Sequence, residues 1–277
     1  MSVGQLRENS IISLFEKPKV VIGVIHSKAL PGSPRYGGGP VSDIYNYALA
    51  EAQRYADAGV DGLIVENHGD IPFLKPDELG PETAACMAVM TERVRVTTGL
   101  KVGVNVLANG ALQALSIAQA AGASFIRVNQ WSNAYVANEG IVEGPAAEAL
   151  RYRKNIGADA VKVFADVHVK HGAHAITADR SIEELARDNE FFDADVAIAT
   201  GQRTGNAATQ EELSTIAGAT RLPVLVGSGV HEENIERILS VSSGVIVASS
   251  LKEDGVWWNS VDPVRARSFM QVVENLR

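Results

Sequence analysis

Along this chain, short apolar runs alternate with longer segments in which apolar residues recur every three or four positions. The short runs are rich in β-branched residues and almost uninterrupted: KVVIGVI at 19–25, DGLIVE at 61–66, KVGVNV at 101–106 and ASFIRV at 123–128. ADAVKVF at 158–164, DVAIA at 195–199, PVLV at 223–226 and GVIV at 244–247 continue the series. Strands apolar on both faces predict a parallel sheet covered on both sides. The intervening segments predict helices near 41–58, 80–98, 109–121, 145–156, 179–191, 209–219, 231–240 and 262–275. In the first of these, the stripe Ile44, Ala48, Ala52, Tyr55 reads as core. Gly59, Gly122 and Gly157 fall just before the next strand, where helices stop.

Eight strand–helix units with no shift in composition and no linker predict an α/β fold. It is a single-domain (β/α)8 TIM barrel over 1–277, with 1–18 as an N-terminal extension or helix. An open doubly wound sheet is the alternative. A barrel places its active site at the C-terminal strand ends, and there this sequence turns polar. The first strand ends at His26, the second at Glu66-Asn67-His68, and the third carries Asn105. Arg127 and Asn129 mark the fourth, Lys162 and Asp166 the fifth, and Thr200-Gly201 the sixth.

Gly227-Ser228-Gly229 after the seventh strand and Ser249-Ser250 after the eighth suit a phosphate, because such barrels bind phosphate on their last two loops. Thr200-Gly201, with QRTGN behind it, would close this cradle. A plain turn is the bland reading of Gly-Ser-Gly alone. Lys162, two and four residues before Phe164 and Asp166, shares their strand face. Inside a barrel it would be a base or Schiff-base former with Asp166, Glu66 and His26 as partners, or else a structural ion pair. His26, Glu66, His68, Asp166 and His168 are candidate ligands for a divalent metal, or general acids and bases. Asn67, Asn105, Arg127 and Asn129 would orient sugar hydroxyls, although Asn is also frequent simply at strand ends. The loop after His26, stiffened by Pro31, Pro34 and Pro40, reads as a lid with Arg35 or Tyr36 reaching inward. An edge-covering loop or a subunit contact is the other reading.

A net charge of −8 argues against nucleic acid and anionic membrane as partners. The single cysteine, Cys86, falls in a helical pattern, which suits a small buried side chain in a reducing cytoplasm. No signal peptide and no membrane span is expected.

The segments HSKALPGSPRYGG, VENHGDIPFLKP, VKVFADVHVKH, TGQRTGNAA, LVGSGVHEENI and SLKEDGVWWNSVDP together resemble the BtpA family, also called BtpA/SgcQ, over nearly the whole chain. The resemblance implies a ribulose-phosphate-binding type of barrel with a phosphorylated small ligand at Gly227, Ser228, Gly229, Ser249 and Ser250. The expected activity is isomerase or lyase chemistry on a phosphorylated sugar or nucleoside-like metabolite, in a possible homo-oligomer, with no cofactor beyond a possible divalent metal. The alternative is a non-catalytic assembly or regulatory factor, since a cyanobacterial member is associated with photosystem I.

Overall fold

In parallel strands the side chains alternate between two covered faces, so each apolar run must serve two cores. The computed structural model, which describes residues 8–201 and 209–277, shows both. In chain order, β1 (Val20–His26), β2 (Gly62–Glu66), β3 (Lys101–Asn105) and β4 (Phe125–Val128) form the first half of a barrel. A hairpin of β5 (Ala134–Ala137) and β6 (Gly140–Glu143) follows. The second half is β7 (Lys162–Asp166), β8 (Val196–Thr200), β9 (Val224–Gly227) and β10 (Gly244–Val247), which pairs back to β1 and closes the barrel.

The helices are α1 (Ser10–Phe15), α2 (Val41–Ala58), α3 (Pro81–Thr98), α4 (Ala111–Ala121), α5 (Ala146–Asn155), α6 (Ile182–Phe191), α7 (Gln210–Ala219), α8 (Ile235–Leu239) and α9 (Pro263–Glu274). Val21, Ile25, Leu63, Val65, Val102 and Val104 point outward into the layer shared with helices. The stripe Ile44, Ala48, Ala52 and Tyr55 of α2 is buried in that layer. Gly59 ends α2 with φ 90, a left-handed conformation that costs glycine nothing. The eight barrel strands and the helices between them are those the hydrophobic pattern predicts. The hairpin was not anticipated, because strands of only four residues leave too little alternation to stand out.

Inside the barrel, Val20, Ile22, Ile64, Val196, Ile198 and Leu225 surround Phe125 and Phe164, whose rings stack at 4.3 Å. Gly103 of β3 makes room for them, since a Cβ there would lie 2.1 Å from the Phe125 ring. Below this stack, α1 plugs the barrel's lower end. Asn9 caps it by accepting from the amides of Ile11 and Ile12, Ile11 is fully buried, and Phe15 meets Phe125 edge-on at 6.2 Å.

One buried ion pair fastens the loop after β10. Lys252 Nζ lies 3.1 Å from Glu51 Oε2, with both side chains fully shielded from solvent. Glu51 also accepts from the Val261 amide at 3.0 Å, and Lys252 donates to the Asn259 carbonyl at 3.1 Å. The segment carrying Trp257 is thereby tied to α2. Removing one partner of a buried pair costs about 3–5 kcal/mol when the other charge is left stranded, but Glu51 also has Arg54 Nη1 2.6 Å from its Oε1. Lys252→Met should therefore lose part of that stability in urea unfolding, and Lys252→Met/Glu51→Gln should recover some of it. A single variant as stable as the parent would show that the pair does not hold this loop.

Candidate active site

Above the aromatic stack the inward positions change character. On β1 the series Val20, Ile22, Val24 ends at His26; on β2, Ile64 gives way to Glu66; on β4, Phe125 gives way to Arg127. Strand register sets His26 beside Glu66 and Glu66 beside Asn105. These residues line a cavity of about 630 Å3 at the C-terminal mouth of the barrel. Its rim comes from Ile71, Pro72 and Phe73 after β2, from the hairpin through Tyr135 and Glu139, and from Trp257.

On the β4–β7 side, Arg127 Nη2 lies 3.1 Å and 3.3 Å from the two Asp166 carboxylate oxygens, and Asn129 donates to Oδ2 at 2.9 Å. Asp166 is thus spent on fixing Arg127 and Asn129. Arg127 Nε, Asn129 Oδ1 and Asn105 Oδ1 are buried with no hydrogen-bond partner among the described residues. Buried polar groups are rarely left so, and all three belong to cavity-lining side chains. They are ready-made contacts for a polar ligand.

On the β1–β3 side, His26, Glu66 and His68 converge beneath Trp257. The His68 ring lies 4.7 Å from His26 and 4.2 Å from the Trp257 indole, centre to centre. His26 Nε2 is 3.7 Å from Glu66 Oε1, while Asn105 Nδ2 donates to Glu66 Oε2 at 2.7 Å. Burial pushes the His26 pKa down to about 3 despite the Glu66 charge, and burial lowers that of His68 as well. Burial also opposes a charge on Glu66, yet His26, His68, Arg127 and the Asn105 bond together hold its carboxyl below the usual range.

The opposite wall is basic and hydroxylic. Lys170, in the loop after β7, donates from Nζ to Ser228 Oγ at 2.6 Å. Burial and the nearby Arg127 push its pKa down to about 8, against the pull of Glu66 and Asp166. Ser228 and Gly229 both have left-handed backbones, φ 73 and φ 66, which turn the loop after β9 toward the cavity. Asn234 fixes that turn by donating to the Gly229 carbonyl at 2.8 Å and accepting from the His231 amide at 2.9 Å. Ser249 and Ser250 begin a single turn after β10 and complete this wall.

The structure thus brings together His26, Glu66, His68, Asn105, Arg127 and Asn129, with Asp166 behind them, and Ser228, Gly229, Ser249 and Ser250 across from them. Several expected residues lie elsewhere. Lys162 shares the inward face with Phe164 and Asp166, but it begins the strand. At ~3.3 Å per residue it sits about 13 Å below Asp166. There its Nζ lies 3.6 Å from Asp195 Oδ1, at the closed end of the barrel and next to Ser10 and Arg221. The structural ion pair is its role, with Asp195 rather than Asp166 or Glu66.

Asn67 binds Asp70 Oδ2, the Leu107 carbonyl and the Leu107 amide, so it staples two loops and has no group left for a ligand. Arg35 is exposed, and the loop after β1 contributes nothing to the cavity wall. That loop instead packs down through buried Leu30, whose amide donates to Asp70 Oδ1 at 2.7 Å. It is not a lid. His168 stacks on His174 at 3.8 Å, away from the other candidate ligands. Burial and His174 push its pKa down to about 4. Thr200 donates to the His168 carbonyl at 2.9 Å; Gly201 and Gly227 do not line the cavity, although a Cβ on Gly227 would lie 3.8 Å from Arg127 Nη2. Residues 202–208, which include QRTGN, lie outside the described residues.

Lys170 is the group that the sequence pattern passed over. It stands in VHVKH beyond the end of β7, where the strand period no longer says which way a side chain points. Trp257 lines the cavity, whereas its neighbour Trp258 is exposed.

Comparison with known proteins fits this architecture. The BtpA family profile matches residues 17–275. A protein of Archaeoglobus fulgidus is 41% identical over 256 residues, covering 92% of this chain and 99% of that one. The photosystem I biogenesis protein BtpA of a Synechocystis strain is 38% identical over 264 residues, covering 95% and 91%. Among solved structures, N-(5'-phosphoribosyl)anthranilate isomerase from Pyrococcus furiosus superposes with a TM-score of 0.56 at 15% identity, covering 93% and 99%. At that identity the likeness is one of fold. No helix among the described residues is long and apolar enough to cross a membrane.

The corrected position of Lys162 is directly testable. A half-exposed pair such as Lys162–Asp195 contributes at most about 1 kcal/mol. Lys162→Met should unfold within about 1 kcal/mol of the parent in urea and should leave ligand binding in the mouth unchanged. Loss of ligand binding in the folded variant would return Lys162 to the site.

Proposed function

The chain belongs to the BtpA family, and from that footing we propose that it is an enzyme acting on a small phosphorylated sugar or nucleoside-like metabolite by isomerase or lyase chemistry. The observation that carries this reading is the division of one cavity into two unlike walls. Lys170, Ser228, Gly229, Ser249 and Ser250 offer a cation, hydroxyls and backbone to a phosphate. The other end of the metabolite then lies against Glu66, an ionised carboxylate in a buried corner, with Asn105, Asn129 and Arg127 holding unused polar atoms toward its oxygens. A buried charge near the reacting atoms acts more strongly than it would in water, which is where isomerisation or bond cleavage draws its help. The solved isomerase of the same fold, named for a phosphoribosyl compound, is consistent with this arrangement. The single cysteine, Cys86, is free and buried, which suits a reducing cytoplasm.

The name of the Synechocystis relative favours a second reading, an assembly or regulatory factor that binds such a metabolite without converting it. Thermal-shift screening against phosphorylated sugars, nucleotides and their dephosphorylated counterparts tests the shared part of both readings. A ligand at 100 times its Kd stabilises by about 2.7 kcal/mol, so phosphorylated compounds should raise the melting temperature and dephosphorylated ones should not. A panel without any shift would count against both. With a ligand in hand, Glu66→Gln should lower turnover by at least ~100-fold while binding persists. A wild-type protein that binds but never converts its ligand would favour the regulatory reading.

Lys170 gives the phosphate wall its own signature. A phosphate monoester gains its second charge near pH 6, and Lys170, with its pKa pushed down to about 8, loses its charge as pH rises. Affinity for the phosphorylated ligand should therefore climb through pH 6 and decline above pH 8. Lys170→Met should remove the decline and weaken binding at pH 7. A calorimetric pH profile that is flat from 7 to 9 in the parent would remove Lys170 from the phosphate wall.

A further inference from the structure

His26 Nδ1 lies 3.1 Å from the carbonyl oxygen of Trp257. A carbonyl only accepts, so this nitrogen carries the ring proton. The other nitrogen, Nε2, then presents a bare lone pair, and it faces Glu66 Oε1 at 3.7 Å. Two electron-rich atoms thus confront each other in a buried corner with no proton between them. The separation is too long for a hydrogen bond between them, since a charge-assisted N–H···O bond runs about 2.7–2.9 Å. His68 closes the third side: one donor atom from each of the three residues lies within 4.8 Å of the others. Nδ1 of His68 is buried and without a hydrogen-bond partner among the described residues. What the corner lacks is a cation.

We propose that His26, Glu66 and His68 bind a divalent transition-metal ion of the zinc class. A tetrahedral ion with bonds of about 2.1 Å holds its ligand atoms about 3.4 Å apart. The His26–Glu66 separation of 3.7 Å needs only a few tenths of an ångström of closure, and the His68 ring has to rotate inward. The surroundings match those of metal ligands, whose outer hydrogen bonds fix tautomer and orientation. Trp257 accepts the His26 N–H, and Asn105 occupies Glu66 Oε2, leaving Oε1 for the ion. Two imidazoles and one carboxylate select a zinc-like ion over Mg2+ or Ca2+, which prefer oxygen ligands throughout. Three protein ligands leave a fourth position open to the cavity, the arrangement of catalytic rather than structural zinc. A carbonyl or hydroxyl oxygen of the metabolite would be polarised there. That role rests on the function proposed above, whereas binding of the ion does not.

The test uses the full chain, stripped with EDTA, freed of chelator and checked for folding by circular dichroism. Titration with Co2+, whose visible bands report its coordination, should saturate at one equivalent, and Zn2+ should displace it. His26→Ala and His68→Ala should each weaken Co2+ binding by at least about 100-fold, because losing even an outer partner of a metal ligand costs about 10–100-fold. His168→Ala, outside the cluster, should bind as the parent does. Folded parent protein that takes up neither Co2+ nor Zn2+ at one equivalent overturns the proposal, and this result depends on no variant. So do Co2+ bands that survive in a folded His26→Ala/His68→Ala protein. Phosphorylated-ligand binding by the metal-free protein and its Lys170→Met variant reads the opposite wall, so either assignment can fail without the other.

Discussion

The stack of Phe125 on Phe164 sets the level of everything else in this barrel. Two rings 4.3 Å apart fill the lumen at mid-height, and stacked aromatics are among the best space-fillers a core has. Below them the lumen must be sealed, and α1 seals it with Ile11 and Phe15. Above them no apolar side chain reaches the axis from β2, β3, β4 or β7, and the inward positions there are Glu66, Asn105, Arg127 and Asp166. The stack is thus both the centre of the core and the floor of the cavity. It also explains why Lys162 and Asp166, on one face of one strand, have unrelated roles: the rings lie between them.

Placing charges directly above an apolar floor is costly unless each is matched. Arg127 and Asp166 match each other, with Asn129 as a further donor. Among the described residues Glu66 has no such cation at hydrogen-bond distance; Asn105 donates to it and two imidazoles stand nearby. The mouth therefore sets Asp166, paired with Arg127, beside Glu66, whose neighbours are an amide and two imidazoles. That imbalance separates residues that build the site from residues that act in it. Asp166 reads as a catalytic acid in the sequence, but its oxygens are engaged. Glu66 keeps one oxygen free.

How much of this was legible beforehand follows from the periods involved. The barrel was legible because eight apolar runs with helices between them allow few other arrangements, and the runs themselves marked β1 to β4 and β7 to β10. His26, Glu66, Asn105, Arg127 and Asn129 were legible because they end strands, and the fold says which end matters. Lys162 misled because a period of two gives the face of a strand and not its height. The apolar run ADAVKVF begins before Lys162, whereas the strand itself begins at Lys162, so the run gave no warning that this residue lies at the bottom. Asn67 misled because a strand-end amide can staple a loop as readily as bind a sugar. Lys170 and the Glu51–Lys252 pair were hidden for a different reason. Loop side chains obey no period, and a charged residue within an amphipathic helix such as α2 looks solvated until a distant segment covers it.

That distant segment connects stability to the site. Glu51 on α2 holds Lys252 and the Val261 amide, and so fixes both ends of the loop that carries Trp257. Trp257 in turn accepts the His26 proton through its carbonyl and lays its indole against His68. An ion pair outside the barrel mouth therefore determines which nitrogen of His26 faces Glu66. The side chains of the site arise from β1 and β2, but the tautomer that defines their chemistry is set by the last loop of the fold, folded back and clamped onto the helix after the first strand. A TIM barrel assembles its site from loops far apart in sequence, and here the first and last βα units meet at one imidazole.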